Sequence, residues 1–422
     1  DRNFRYDFGK VFKRQFEVSE GVQKIVADTL DDIKRIGDQA LHKYTLKYDY
    51  FDLTGKSLEV STKEINAAFK SISAEDKKAL EAAAARIHDF YSHQKVERTV
   101  YKKNDLDLRL INSPLERVGI YVSSGQASYP STVLMTAIPA KVAKVNEIIM
   151  CSPWLKGEGS AAILAAAHIA GVTRSFKLGG AQAIAAMAYG TKTVPKVDKI
   201  VGPGNVYVSL AKKLVFGEVD IDMISGPSEL FVLGDGSVSP VYVASDLLSQ
   251  AEHDELASVL LITTSSNYAI RVEGEVRKQV VRLELKAIAA ESVKKLGLIV
   301  LVRSLQEGID LINELAPEHL EICTANAELI LAQIKHAGSI FLGPYTPETL
   351  GDYVAGPSHV LPTHGSARYF SVLSVYDFIK SIPVIKCGDK SFKKLGPIAA
   401  TLARLEGMTA HANSIEVRLK DL

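Results

Sequence analysis

Gln250 and His253 stand three residues apart in the stretch LLSQAEHDELAS, residues 247–258, a spacing that puts two side chains on one face of a helix. One amide oxygen and one imidazole make half a coordination sphere, because zinc usually takes four ligands and favours nitrogen and sulfur. On this segment alone a solvated helix face is the simpler reading, and two further ligands must come from elsewhere. ETLGDYVAGPSHVLPT carries Asp352 in a Gly-flanked turn, with His359 and His364 beyond it, and the terminal LEGMTAHANS carries Glu406 and His411. An aspartate after glycine is commonly a loop cap and a histidine near a terminus is commonly solvated, so spacing does not choose among these donors. ELAPEHLEI, 314–322, sets Glu318 and His319 side by side ahead of a strand. A carboxylate beside an imidazole suits proton transfer, since imidazole titrates near neutrality and burial raises a carboxylate towards it. A Pro-Glu helix start followed by a satisfied histidine accounts for the same letters.

Three glycine-bearing stretches raise the question of a nucleotide. GPGN, 202–205, follows the strand KIV and precedes a helix; such a turn exposes backbone N–H groups at a positive helix terminus, as a phosphate or carboxamide requires. An ordinary strand-to-helix turn fits these four letters equally. GGAQAIAAMAYGT places Gln182 in the first turn of a helix, where a buried amide either ties loops together or reads a ligand. GEGSAA, 157–162, matches a loose GxGxxA pattern, but four residues separate it from the preceding strand and no acidic residue closes the next, SFKLGG. It reads as a helix start rather than a dinucleotide fingerprint.

The elements that must position these residues follow from periodicity. Residues 20–48 and 63–95 carry apolar positions at helical spacing, so the N-terminal quarter is mainly helical. From 117 short β-branched runs alternate with Ala-rich helices, which implies an α/β fold with a parallel sheet. After about 225 a second α/β set follows, with LFVLGD, ASVLLITT, GLIVLV, LEICT and SIFLG as strands. After about 375 a mobile-looking stretch, IPVIKCGDKSFKKLG, leads into one last helix, PIAATLARLEGMTAHANSIEVRL, whose apolar stripe has little core of its own and docks on something else, such as a partner subunit.

At 422 residues the chain exceeds the ~250–300 at which one core stops growing, so two or more domains are expected. Fifty basic residues against forty-nine acidic leave no electrostatic footprint for nucleic acid or an anionic membrane, which favours a small-molecule partner. Cys151, Cys323 and Cys387 are odd in number and far apart, so neither a disulfide framework nor a thiolate zinc site is indicated. No apolar run reaches the ~18 residues of a membrane span and the opening residues lack a secretory h-region, so a cytoplasmic protein is expected. The sequence starts at Asp1 rather than Met, which leaves room for a removed upstream address, plastid import included.

Seven blocks in order, GIYV…YPSTVLM…AIPAKVA, GGAQAIAAMAYGT…VPKVDKIVGPGN, SGPSE, LLSQAEHD, APEHLEI, GDYVAGPSHVLPT and EGMTAHANS, together resemble the histidinol dehydrogenase family, from about residue 20 to the C-terminus. The resemblance implies two incomplete Rossmann-like domains: an N-terminal segment 1–17, a discontinuous first domain over 18–120 and 226–372, a second domain over 121–225 on the NAD side, and a tail 373–422 exchanged in a homodimer. It implies a zinc site of Gln250, His253, Asp352 and His411, one zinc per subunit, with Glu318 and His319 as the proton-transfer pair. It implies NAD contacts at Tyr121, Gln182 and Asn205, and substrate contacts at Ser228, Gln250, His253, His319, Asp352, Glu406 and His411, with Glu406 and His411 coming from the neighbouring subunit. The implied reaction is the four-electron oxidation of L-histidinol to L-histidine through a bound aldehyde, at the cost of two NAD+. A related dehydrogenase of another small polar alcohol, such as a sulfonated propanediol, would use the same metal and acid–base residues. After Tyr121 the family usually reads Val-Pro-Gly-Gly, whereas this chain reads Val122, Ser123, Ser124, Gly125. A left-handed backbone at Ser124 would be strained there by ~1 kcal/mol or more and would weaken NAD binding, which admits a third reading: a zinc-binding protein or hydrolase that no longer uses NAD. His364 also stands where the family often has glycine, and no role is assigned to it.

Overall fold

The computed structural model describes residues 18–124 and 128–422, so expectations on 1–17 and on Gly125 lie outside the described residues. Two compact units divide the chain. The larger runs to His93 and again from Glu116 to Phe378; the smaller combines Gln94–Leu115 with Ile379–Leu422.

The larger unit opens with four helices, Glu20–Ile36, Asp38–Asp49, Thr62–Ser71 and Ala74–Ser92. Their starts are written in the sequence. The Ser19 side chain accepts from the Val22 amide, and Ser61 with Glu64 forms a reciprocal capping box. Val26, Leu30 and Ile33 recur at helical spacing and are buried, together with Leu41 and Tyr44, in one core with the alanines of the helix Gly180–Tyr189.

Two five-stranded sheets follow. The first holds β3 (Arg117–Tyr121), β4 (Glu147–Ser152), β5 (Arg174–Lys177), β6 (Lys199–Val201) and β7 (Asp220–Ile221), in the order β5-β4-β3-β6-β7. The second holds β8 (Glu229–Gly234), β9 (Ser258–Thr263), β10 (Gly297–Leu301), β11 (His319–Cys323) and β12 (Ser339–Leu342), in the order β10-β9-β8-β11-β12. Every pairing in both is parallel. Strands such as β8, β9 and β11 are buried along their whole length, which is why they read as unbroken apolar runs rather than as alternations. Each sheet reverses its strand order between its first and fourth strands, β3 and β6 in one, β8 and β11 in the other. In open α/β sheets a crevice forms outside the carboxyl ends at such a reversal.

The smaller unit is an antiparallel sheet, β1 (Val100–Lys103), β2 (Leu106–Pro114) and β13 (Ile379–Cys387), in the order β1-β2-β13, with the helices Asp389–Leu405 and Thr409–Lys420. This corrects two expectations. The stretch read as mobile, 382–396, is regular throughout: its first six residues end the nine-residue strand β13, paired along its length with β2 from Ile379 opposite Pro114 to Cys387 opposite Leu106, and from Asp389 it opens the helix Asp389–Leu405. Pro383 is accommodated because β13 lies at the sheet edge, where a missing N–H is tolerated. The single last helix is two, broken at Gly407, whose φ is +75°. Ile398, Leu402 and Leu405 on the first of them are all more than half exposed. No described helix is long and apolar enough to cross a membrane.

Candidate functional site

A cavity of about 580 Å³ opens in the larger unit where the two strand-order reversals meet. From the first sheet it takes residues beyond the carboxyl ends: Ser123 after β3, and Pro203, Gly204 and Asn205 after β6. From the second it takes the opposite, amino ends, with Ser228 just ahead of β8, Glu318 just ahead of β11, and His319 as the first residue of β11. Helix ends close it, among them those of Pro240–Ala251 and Glu348–Tyr353.

The helix Pro240–Ala251 starts at a Ser239 cap with proline in its first turn, and buries Val243, Ala244, Leu247 and Leu248. That anchored face carries Gln250 to the cavity wall almost wholly buried, with its Oε1 lacking any hydrogen-bond partner among the described residues. The helix ends at Ala251, so His253 does not continue the helical face as its spacing suggested. It sits exposed in the following turn, its amide 3.3 Å from the Gln250 carbonyl. Asp352, expected in a Gly-flanked turn, lies instead in the short helix Glu348–Tyr353.

That helix brings a residue the sequence reading passed over. Glu348 and Asp352 are four apart, hence on one helical face, and their carboxylates gather with His253 so that one ligand atom from each lies within 4.8 Å of the others. Glu348 is fully buried, its Oε2 accepting from Ser249 Oγ at 2.8 Å and its Oε1 lacking a partner among the described residues. The amide of Glu348 donates to Glu321 Oε1 at 2.9 Å, so a carboxylate from β11 caps the short helix. Burial pushes the Glu348 carboxyl up to about 8. It pushes Glu321 well above the carboxylate range as well, with help from Asp246. A buried oxygen with no donor and a carboxyl forced towards its neutral form, as at Glu348, are what a bound cation would relieve; Asp352, despite its burial, is held below the usual carboxylate range by the His319 imidazole. The imidazole of His253 with the carboxylates of Glu348 and Asp352 thus forms a donor set that fits a divalent cation, and the unpartnered Gln250 oxygen belongs to the same cavity wall.

The proton-transfer candidates adjoin this cluster. Glu318 Oε2 accepts from the Glu229 amide at 2.8 Å, and His319 Nδ1 lies 3.0 Å from the Glu229 carbonyl. A carbonyl accepts only, so Nδ1 carries a proton in either state of the ring, and Nε2, the nitrogen that gains or releases the second proton, faces Asp352 Oδ1 at 3.6 Å. Burial opposes the imidazolium, yet the Glu318 and Asp352 carboxylates outweigh it and hold the ring well above the ordinary histidine pKa. His359 steadies the neighbouring backbone, with Nδ1 2.9 Å from the Asp352 carbonyl and Nε2 3.2 Å from Thr132 Oγ1. His364 lines the cavity in a left-handed backbone, φ +54°.

The three residues implied as NAD contacts fall in different surroundings. Asn205 lines the cavity and caps the helix Val206–Val215, its Oδ1 accepting from the Tyr207 and Val208 amides. Tyr121 and Gln182 are buried and do not line it. The Tyr121 hydroxyl accepts from the Gly180 amide at 3.0 Å, and Gln182 Nε2 lacks a partner among the described residues. Ser124 bridges to Ser128 and has no positive φ, so the strain expected of a serine at that position does not arise. Glu406 and His411 belong to the smaller unit, where both are exposed.

Beside Tyr121, Asp49 accepts from the Gly179 amide while burial lifts its carboxyl from 3.8 to about 6. A carboxyl raised in the folded state binds protons more tightly there than in the unfolded chain. The contribution of Asp49 to stability therefore falls as pH rises from about 4 to about 6 and levels off above. Asp49→Asn is expected to stabilise the fold by up to about 3 kcal/mol at pH 8 and to remove this part of the pH dependence, read by urea unfolding at pH 4.5 and 8. An unchanged slope would show that Asp49 is not its source.

The family model for histidinol dehydrogenase matches residues 12–419. The chain belongs to the histidinol dehydrogenase family. The histidinol dehydrogenase of Syntrophotalea carbinolica is 49% identical over all of this chain and 98% of that protein, and that of Aquifex aeolicus is 49% identical over 97% and 95%. The crystal structure of histidinol dehydrogenase from Elizabethkingia anophelis superposes with a TM-score of 0.93 at 38% identity, covering 99% of this chain and 96% of that one. Membership in the histidinol dehydrogenase family makes the chain an oxidoreductase of histidine biosynthesis, and the parallel α/β architecture expected from the strand pattern is that of its solved relative.

Proposed function

We propose that the chain oxidises L-histidinol to L-histidine at this cavity, in two NAD+-linked steps through an aldehyde that stays bound. The observation that carries the reading is the meeting of an oriented base, His319, with a cluster of metal-type donors in one cavity of a histidinol dehydrogenase family member. Gln250, His253 and Asp352, with His411 from a second copy of the chain, would hold zinc, and Tyr121, Gln182 and Asn205 would serve NAD+. Zinc held there would supply a fixed positive charge that orients the alcohol and relieves the pull of Asp352 on His319, leaving the imidazole as a base. His319 Nε2 takes the alcohol proton as the carbon-bound hydrogen leaves as hydride to NAD+. Glu318 then takes a proton from water as it adds to the aldehyde, and the hydrate gives up a second hydride to a second NAD+. One water enters, four electrons leave, and the CH2OH carbon becomes a carboxylate. Ser228, Glu406 and His411 complete the substrate contacts.

The domain division proposed with this function keeps 121–225 as the NAD side and assigns 373–422 to dimerisation. The exposed Ile398, Leu402 and Leu405 support a second copy as what covers the tail. The absence of left-handed strain at Ser124 speaks against a protein that has abandoned NAD. The test is stoichiometry: purified, zinc-loaded protein is expected to yield two NADH per histidinol consumed and none with sulfopropanediol. One NADH, or none, would sink the proposal.

A further inference from the structure

Behind the turn Gly202-Pro203-Gly204-Asn205 lies a charged pair that the proposed chemistry leaves unused. Lys212, on the helix Val206–Val215, and Asp222, just after β7, are both buried and ion-paired to each other. Neither lines the cavity. Both grip one residue: Lys212 Nζ donates to the Gly202 carbonyl at 2.9 Å, while Asp222 Oδ2 accepts from the Gly202 amide at 2.7 Å. Asp222 Oδ1 takes the Met223 amide as well. Gly202 has no latitude of its own. Its φ is +113°, and a Cβ there would stand 2.2 Å from the Tyr121 carbonyl oxygen, so only glycine fits between the ends of β3 and β6.

A buried ion pair is a poor stabiliser, because apolar side chains of the same volume avoid its desolvation. The pair does something apolar residues cannot, which is to fix the donor and the acceptor of a single peptide residue at once. The next three residues, Pro203, Gly204 and Asn205, are cavity wall. We infer that Lys212 and Asp222 are positioning residues for the dinucleotide: through Gly202 they set the turn against which NAD+ is bound, without touching it. This rests on placing NAD+ at Asn205, as proposed above.

The experiment titrates full-length, zinc-loaded protein with NADH by fluorescence, and measures KM for NAD+ and for histidinol, in wild type, Lys212→Met, Asp222→Asn and the double variant. Each single variant is expected to raise the NADH Kd and the KM for NAD+ by about tenfold or more, since a small misplacement of a binding group is costly. KM for histidinol and zinc content should stay unchanged. The double variant leaves no lone buried charge, so it should regain Tm relative to the singles without regaining NADH affinity. Recovery of affinity together with Tm, or a parallel loss for both substrates, would show that the pair only packs the core and would overturn the inference. Wild-type protein that turns over neither NAD+ nor binds NADH would overturn the site reading itself, and the inference with it; wild-type binding with unaffected variants overturns the inference alone.

Discussion

His319→Asn is expected to lower kcat for histidinol oxidation by about 10²–10⁴ while zinc content and Tm hold. Asparagine can keep the donation to the Glu229 carbonyl that His319 Nδ1 makes at 3.0 Å, so the amino end of β11 need not move, but it offers no base at the position of Nε2. Glu318→Gln separates the two halves of the reaction. A glutamine oxygen can still accept from the Glu229 amide, as Oε2 does at 2.8 Å, yet the amide cannot take a proton from water. Oxidation of added histidinal to histidine should therefore fall by about a hundredfold or more, while reduction of histidinal by NADH, which reverses the first step, survives. Stopped-flow measurement of NADH in both directions checks this. Equal losses in both half-reactions would remove Glu318 from the water-activating role.

The two carboxylates at the cavity show how far local sequence carries. Asp352 is visible in the sequence as one candidate donor among several, and its Gly-flanked letters suggest a loop where the chain makes a short helix. That helix depends on Glu321 capping it from β11, a contact no local pattern contains. Glu348 was within reach, because its i, i+4 relation to Asp352 is a same-face signal; Pro347-Glu348 simply looks like a helix start. Gln250 and His253 were legible as a pair and illegible as a geometry. The residues that terminate the helix at Ala251 are polar letters that would serve equally in another turn.

Strand existence was legible in the second sheet, where burial on both faces writes continuous apolar runs. Strand order was not. The cavity takes the carboxyl ends of one sheet and the amino ends of the other, a non-local fact that strand order alone does not dictate. The same holds for β13, paired with a strand some 270 positions earlier and bearing lysines and a proline that suggest a loop. Its apolar positions make sense only once β2 lies beside it.

The tail gives the other large effect, and it separates sharing from mere dimerisation. In the proposed dimer each cavity takes His319 from one chain and His411 from the other. A heterodimer of a His319→Asn chain with a His411→Asn chain, isolated by two different tags, then has one cavity with both changes and one with neither. It should show about half the wild-type activity per dimer, although each variant homodimer is nearly inactive. The pairing of a wild-type chain with a chain carrying both changes has the same composition and the opposite expectation: every cavity has lost one of the two histidines, so activity should be close to zero. If His411 served its own chain, the two results would be exchanged. Because both heterodimers contain the same four residues at these positions, general destabilisation lowers both alike and cannot imitate either pattern. Zinc content is the control rather than the readout: each heterodimer has one intact His411 and an intact set of Gln250, His253 and Asp352 in both chains, so one tightly held zinc is expected in both, and a difference in activity between them cannot come from metal loss.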